Sequence, residues 1–217
     1  MQYISRKAEY NFDSFDQFND QISEQDITGT KHEITKENSR DGSFIHKGWI
    51  TGAHPENHRG YPSINLTKLS GERWESISCE LWVALDIALK AGEWFSFATF
   101  GIAPDTMWSR VITVNINSEN ELHFGHVPFH GEQVPTFVNK NVRFPMGRWV
   151  KLNMTLQCMG DVGYCAVWQD DLLIQEAKFE GGCGWIEKVH FGMYASGSVE
   201  SGTVYNDSLK IYELIDS

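Results

Sequence analysis

From Ser43 onward the chain alternates apolar and polar residues with a period of two, broken at intervals by Gly, Asn and Asp. That period belongs to strands with one face buried. Over residues 77–85 the pattern is cleanest: Ile77, Cys79, Leu81, Val83 and Leu85 share one face, and Ser78, Glu80 and Trp82 the other. Residues 61–67 set Pro62, Ile64 and Leu66 against Tyr61, Ser63 and Asn65. Further strands are predicted over 94–100, 110–117 (Ile112, Val114 and Ile116 inward), 122–127, 149–157, 164–169, 171–176, 189–195 and 203–214. Helical periodicity is nearly absent, and only residues 14–23 predict a short helix or turn. Roughly a dozen short strands at this spacing predict an all-β fold, a two-sheet antiparallel β-sandwich of jelly-roll type. With no repeat, low-complexity tract or linker, residues 1–217 are read as one domain. Residues 1–36 are its least regular part, the polar stretch from Gln17 to Lys36 wrapping the sandwich before entering it.

Charge narrows the partners. Net charge is −11 and the isoelectric point about 5.1, which argues against nucleic acid or an anionic membrane surface, since phosphate binding needs a basic field. It also counts against a polyanionic polymer unless a local basic patch overrides the mean. No apolar stretch approaches the ~20 residues of a membrane span. The opening residues lack a hydrophobic signal core, so the protein is read as intracellular, or as secreted or periplasmic after removal of a signal peptide. Eight tryptophans exceed what a core of this size requires, leaving indole faces on which sugar rings can stack.

Four cysteines occur, at positions 79, 158, 165 and 183, with no Cys-x-x-Cys pair. Cys158 and Cys165 flank a Gly-Asp-Val-Gly turn and are read as facing each other across a hairpin, either bridged or as packed thiols.

Strand alternation gives the chemistry-bearing face. If the apolar positions point inward, the opposite faces carry Arg59, Tyr61, Ser63 and Asn65; Glu80 and Trp82; Thr113, Asn115 and Asn117; His123; and His190 and Tyr194. Amides and imidazoles hydrogen-bond sugar hydroxyls, and aromatic rings cover the apolar faces of sugars. An outer face serving only solubility would carry more Lys, Glu and Thr. This bias is the compositional pointer to a polysaccharide or oligosaccharide partner.

Three segments carry a family resemblance. His190-Phe-Gly-Met-Tyr-Ala-Ser196 followed by Gly202-Thr-Val-Tyr-Asn-Asp-Ser-Leu209 resembles the closing strands of concanavalin A-like jelly rolls. Asn38-Ser-Arg-Asp-Gly-Ser43 resembles an early turn of the same superfamily, and Asn57-His-Arg-Gly-Tyr-Pro62 a cleft strand of polysaccharide lyases of the glucuronan- and alginate-lyase type. The resemblance implies a last strand paired with the first. It also implies a structural calcium held by Asp207, by Asp13 (or Glu9) and by backbone carbonyls around Arg40 and Asp41. For activity it implies β-elimination of a uronate polymer. Arg59 or Asn115 would neutralise the carboxylate, His58 or His123 would be the base, and Tyr194 the proton donor. Tyr61, Glu80, Trp82, Asn117 and His190 would bind the substrate. The alternative on the same scaffold is a carbohydrate-binding or adhesion domain without turnover.

Other chemistries find no support. Glu80 has Ser78, Trp82 and Ala84 at the neighbouring same-face positions, so the paired carboxylates of a glycosidase are missing. Gly181-Gly182-Cys183-Gly184 lacks the Lys and Ser/Thr of a phosphate loop, and no Gly-x-Ser-x-Gly elbow occurs.

Overall fold

The computed structural model describes residues 2–23, 28–104, 110–127, 134–158, 160–180 and 184–216, and all but the side chains of 2, 134–140 and 216. Cys183 lies outside these residues. In chain order the strands are β1 (Gln2–Tyr10), β2 (Thr30–Thr35), β3 (Ile45–Ile50), β4 (His58–Gly60) and β5 (Ser63–Asn65), then a short helix α1 (Leu66–Ser70). β6 (Ser76–Ile87), β7 (Phe95–Ala103), β8 (Val111–Ile116), β9 (Glu121–Val127), β10 (Val134–Arg143) and β11 (Trp149–Gln157) follow. β12 (Val162–Gln169), β13 (Leu172–Glu180), β14 (Trp185–Phe191), β15 (Met193–Ala195) and β16 (Gly202–Asp216) complete the chain.

These strands form two antiparallel sheets of eight. The first runs β13-β12-β11-β6-β16-β3-β2, with β1 also on β16; the second runs β10-β9-β8-β7-β14-β5, with β15 on β7 and β4 on β15. The apolar positions of the alternating pattern meet between them. Leu81, Val83, Leu152, Met154 and Val204 of the first sheet pack in one cluster with Phe97, Phe100, Val114, Phe124 and Val189 of the second. Inward positions follow the period-two pattern wherever a strand has one polar face: β11 alternates strictly between half-buried and buried from Trp149 to Gln157.

The last strand does pair with the first, Tyr10 opposite Leu209 and Gln2 opposite Asp216. The N-terminal region is more regular than predicted, since β1 and β2 both join the first sheet. Its polar residues are admitted because β1 pairs along one side only and β2 ends its sheet, where one face stays solvated. The predicted turn within 14–23 is a single 3-10 turn, Phe15–Gln17, capped by the Ser14 side chain. Residues 21–23 then run beside 61–63: Ile22 bridges Pro62, and Ser23 and Ser63 donate their amides to Tyr61 and Gln21 respectively.

Two local readings are corrected. The strand over 61–67 stops at Asn65, whose side chain caps Lys68 N–H and starts α1, while Gly71 at φ 76 closes it. In the β11–β12 hairpin Leu156, not Cys158, stands opposite Cys165. Cys79, Cys158 and Cys165 are buried and form no disulfide, and burial pushes the thiols of Cys79 and Cys165 up.

Candidate functional site

Six of the predicted site residues come together on the second sheet, on the face turned from the core. Cross-strand pairing lays them out in two rows. Ser63, His190, Thr99, Thr113 and Gly125 follow one another across β5, β14, β7, β8 and β9. In the second row Ser96 pairs with Asn115 and Asn115 with His123. Ala195 pairs with Phe95, which sets Tyr194 at the Ser96 end of that row, and Arg59 pairs with Tyr194.

At this end the aromatic rings interlock. Tyr61 stacks on His190 with centroids 3.9 Å apart, and Tyr194 meets His190 edge-on at 5.1 Å and Tyr61 at 5.7 Å. Trp94, which the strand pattern did not assign to the site, packs edge-on against Tyr194 at 5.0 Å. Gly192 makes this possible. Its φ of 118 forms the break between β14 and β15, and an added Cβ would meet His46 at 2.8 Å, Gly60 O at 2.9 Å and Tyr61 Cβ at 3.0 Å. Arg59 stays partly exposed beside these rings and pairs with Glu56 at 2.9 Å.

Burial sets the protonation states. The His190 pKa falls to about 3, because its imidazole is desolvated and Arg59 lies nearby. His123 is likewise held below the ordinary histidine value by burial. Both rings are therefore neutral at pH 7. Burial raises the Tyr194 phenol, while Arg59 and a hydrogen bond with Asn57 pull it back; Tyr61, lacking that bond, goes to about 12. Asn115 is 2% exposed, and its buried Oδ1 has no hydrogen-bond partner among the described residues. An orphaned buried amide oxygen costs free energy.

Four predicted residues stand elsewhere. His58 is buried, with Nδ1 2.7 Å from Thr28 O and Nε2 2.8 Å from Val199 O, so it ties loops together and faces no solvent. Asn117 is a turn residue: its Oδ1 accepts the amides of Glu119 and Glu121, and its Nδ2 donates to Glu121 at 2.9 Å. Glu80 and Trp82 belong to β6 in the opposite sheet. There Trp82 lies under the Arg40 guanidinium at 3.8 Å, and Glu80 stands 4.0 Å from Lys151. Alternation gave their face, turned from the core, but not their sheet, which differs from that of the other six.

Asp207, the residue chosen as a calcium ligand, is buried beside the same cluster, with Oδ2 3.3 Å from Arg40 and Oδ1 accepting from Ser208 at 3.0 Å. Asp13 is exposed and takes the Asn11 amide at 2.5 Å, and Asp41 accepts Ser43 N–H at 2.9 Å. Asp207 and Arg40, both named for the calcium site, thus pair with each other. Among the described residues no three His, Cys, Asp or Glu side chains gather where they could hold a metal ion.

Comparison with solved structures returns the same architecture. An endo-β-1,4-glucuronan lyase from the fungus Trichoderma reesei superposes with a TM-score of 0.65 at 14% identity, over 97% of this chain and 95% of the lyase. The fold is their shared jelly roll. The alginate lyase vAL-1 from a Chlorella virus matches with a TM-score of 0.56 at 8% identity, over 84% and 88% of the two chains. Botulinum neurotoxin type C, whose cell entry depends on interaction with two ganglioside molecules, matches with a TM-score of 0.54 at 12% identity, over 85% of this chain but 42% of the toxin chain. No protein-family model and no curated protein matches the sequence. At these identities the likeness speaks for the fold, and function has to be argued from the site.

Proposed function

We propose that this protein is a polysaccharide lyase acting by β-elimination on a uronate polymer bound across the second sheet. The observation that carries the reading is the convergence at one end of the cleft of a guanidinium, a phenol and stacking rings. Arg59, Tyr194, Trp94 and Tyr61 meet there. Arg59 would pair with the uronate carboxylate, acidifying the C5 proton. Tyr194, its hydroxyl held by Asn57 and beside Arg59, would move the proton between C5 and the departing O4. Trp94, half-buried, would offer its ring to the sugar, with Tyr61 buried behind it against His190.

Register reassigns the histidines. Tyr194 and His123 lie three strands apart, about 14 Å at ~4.8 Å per strand, too far to act on one sugar ring. The imidazole beside Tyr194 is His190, and its low pKa makes it a neutral support rather than a strong base. Asn115 and His123, paired across β8 and β9, then belong to an adjoining subsite for hydroxyls of the next sugar. A carbohydrate-binding role without turnover would use the same row of groups, and the fold it shares with toxin domains is compatible with it.

The deciding measurement follows absorbance near 235 nm, where unsaturated uronate ends absorb, on glucuronan, alginate and pectate. The reading expects turnover that Tyr194→Phe abolishes and His123→Ala weakens through KM with little change in kcat. A flat trace on every polymer, with binding retained, would leave a carbohydrate-binding domain.

A further inference from the structure

Beneath the aromatic cluster, between the two sheets, lies a pair of buried histidines that the cleft chemistry does not use. His32 of β2 and His46 of β3 are both buried, with His32 Nδ1 3.1 Å from His46 Nε2. The outer nitrogens are engaged as well. His32 Nε2 is 3.2 Å from Ser23 O, and His46 Nδ1 is 3.3 Å from Asn206 Nδ2.

The chemistry of the two ends fixes the protons between them. Ser23 O can only accept, so His32 Nε2 carries a hydrogen and, in a neutral ring, Nδ1 is bare. His46 must then donate from Nε2, which leaves its Nδ1 free to accept from the Asn206 amide. One arrangement satisfies these three contacts: Asn206 to His46 to His32 to Ser23, all donors pointing one way and both rings neutral.

The chain of bonds ends at Tyr61. Ser23 accepts the Tyr61 amide on Oγ at 2.7 Å and donates its own amide to Tyr61 O at 3.0 Å. Tyr61 in turn stacks on His190. His46 also abuts Gly192, the break that carries His190 and Tyr194. Phe12, Phe15 and Phe191 close around the pair. Burial lowers both pKa values, with His32 lowering that of His46 further and the Ser23 carbonyl partly restoring that of His32.

We infer that His32 and His46 are positioning residues: a neutral, one-directional histidine relay that clamps Ser23 and through it holds Tyr61 against His190. The relay fixes the position of the stacking platform at the sugar end of the cleft. Its functional meaning rests on the carbohydrate reading above, but its test needs neither a sugar nor turnover.

Long-range nitrogen–proton NMR of the histidine rings reads the relay directly. Both His32 and His46 are expected as Nε2–H tautomers, neutral across the neutral pH range. The stack is read from the His190 ring protons, which lie over the Tyr61 face and are shifted upfield. His32→Leu is expected to lose that upfield shift, while His32→Gln, which keeps a donor for Ser23 O, retains it. Phe12→Leu thins the same cage without touching a relay bond, and is expected to lower stability yet leave the shift in place. An unchanged shift in His32→Leu, or an equal loss in Phe12→Leu, overturns the positioning role. Where His32→Leu does not fold, the wild-type spectrum decides: an Nδ1–H tautomer or a charged ring at neutral pH refutes the relay, and paired Nε2–H tautomers support it.

Discussion

Replacing Asn115 by valine should stabilise the protein while it disables the cleft. The amide stands in the middle of β8, and its Oδ1 is sealed from solvent without a partner among the described residues. Leaving such a group unpaired costs about 1–3 kcal/mol, and valine also suits a strand better than asparagine. Part of the gain is lost because valine does not reproduce the packing of the longer amide. A net increase of about 1 kcal/mol is the expectation, which for a chain of this length raises Tm by roughly 2–4 °C. Thermal unfolding of the two proteins side by side measures it. Affinity for the bound polysaccharide should fall about tenfold, the equivalent of one lost hydrogen bond of ~1.4 kcal/mol. A lower Tm for Asn115→Val would refute the reasoning, since it would mean that the amide is satisfied within the folded chain. The trade of stability against binding is what a group kept for a ligand produces.

Acid should destabilise the fold through its buried imidazoles. His190 has its pKa depressed from 6.5 to about 3, so the unfolded chain binds the extra proton as pH drops below 6.5. Its stabilising contribution is complete above that value and is lost progressively toward pH 3, on the order of 4–5 kcal/mol in all. Urea titrations between pH 7 and 4 should show a shallower loss for His190→Gln than for the wild type, and parallel curves would rule the mechanism out. Gly192→Ala should cost at least about 1 kcal/mol, because its φ of 118 and contacts of 2.8–3.0 Å leave no room for a Cβ; a variant as stable as the parent would contradict the packing at the β14–β15 break. Glu80→Gln should leave both polysaccharide affinity and turnover unaltered, since β6 lies in the other sheet, and a tenfold change in either would move the site.

Period-two alternation was enough to determine the fold class, because a residue's face in a strand depends only on its parity. It placed Ile112, Val114 and Ile116 inside and Thr113 and Asn115 on the opposite face, and it grouped His123, His190 and Tyr194, which strand pairing then brings onto one sheet. Parity does not say which sheet a strand joins. Glu80 and Trp82 pointed away from the core as read, yet pairing of β6 with β11 and β16 carried them to the far side of the molecule. Local sequence also misjudged His58, whose neighbours suggested a cleft while two carbonyls from distant segments bury it. Trp94 and the His32–His46 pair escaped notice for a related reason: their partners are remote in sequence, and only the stacking of β15 on β7 and of β2 on β3 brings them together. Side-chain direction is a local property of the backbone and is written in the sequence. Convergence of side chains is a property of strand order and register, which long-range packing of the two sheets decides.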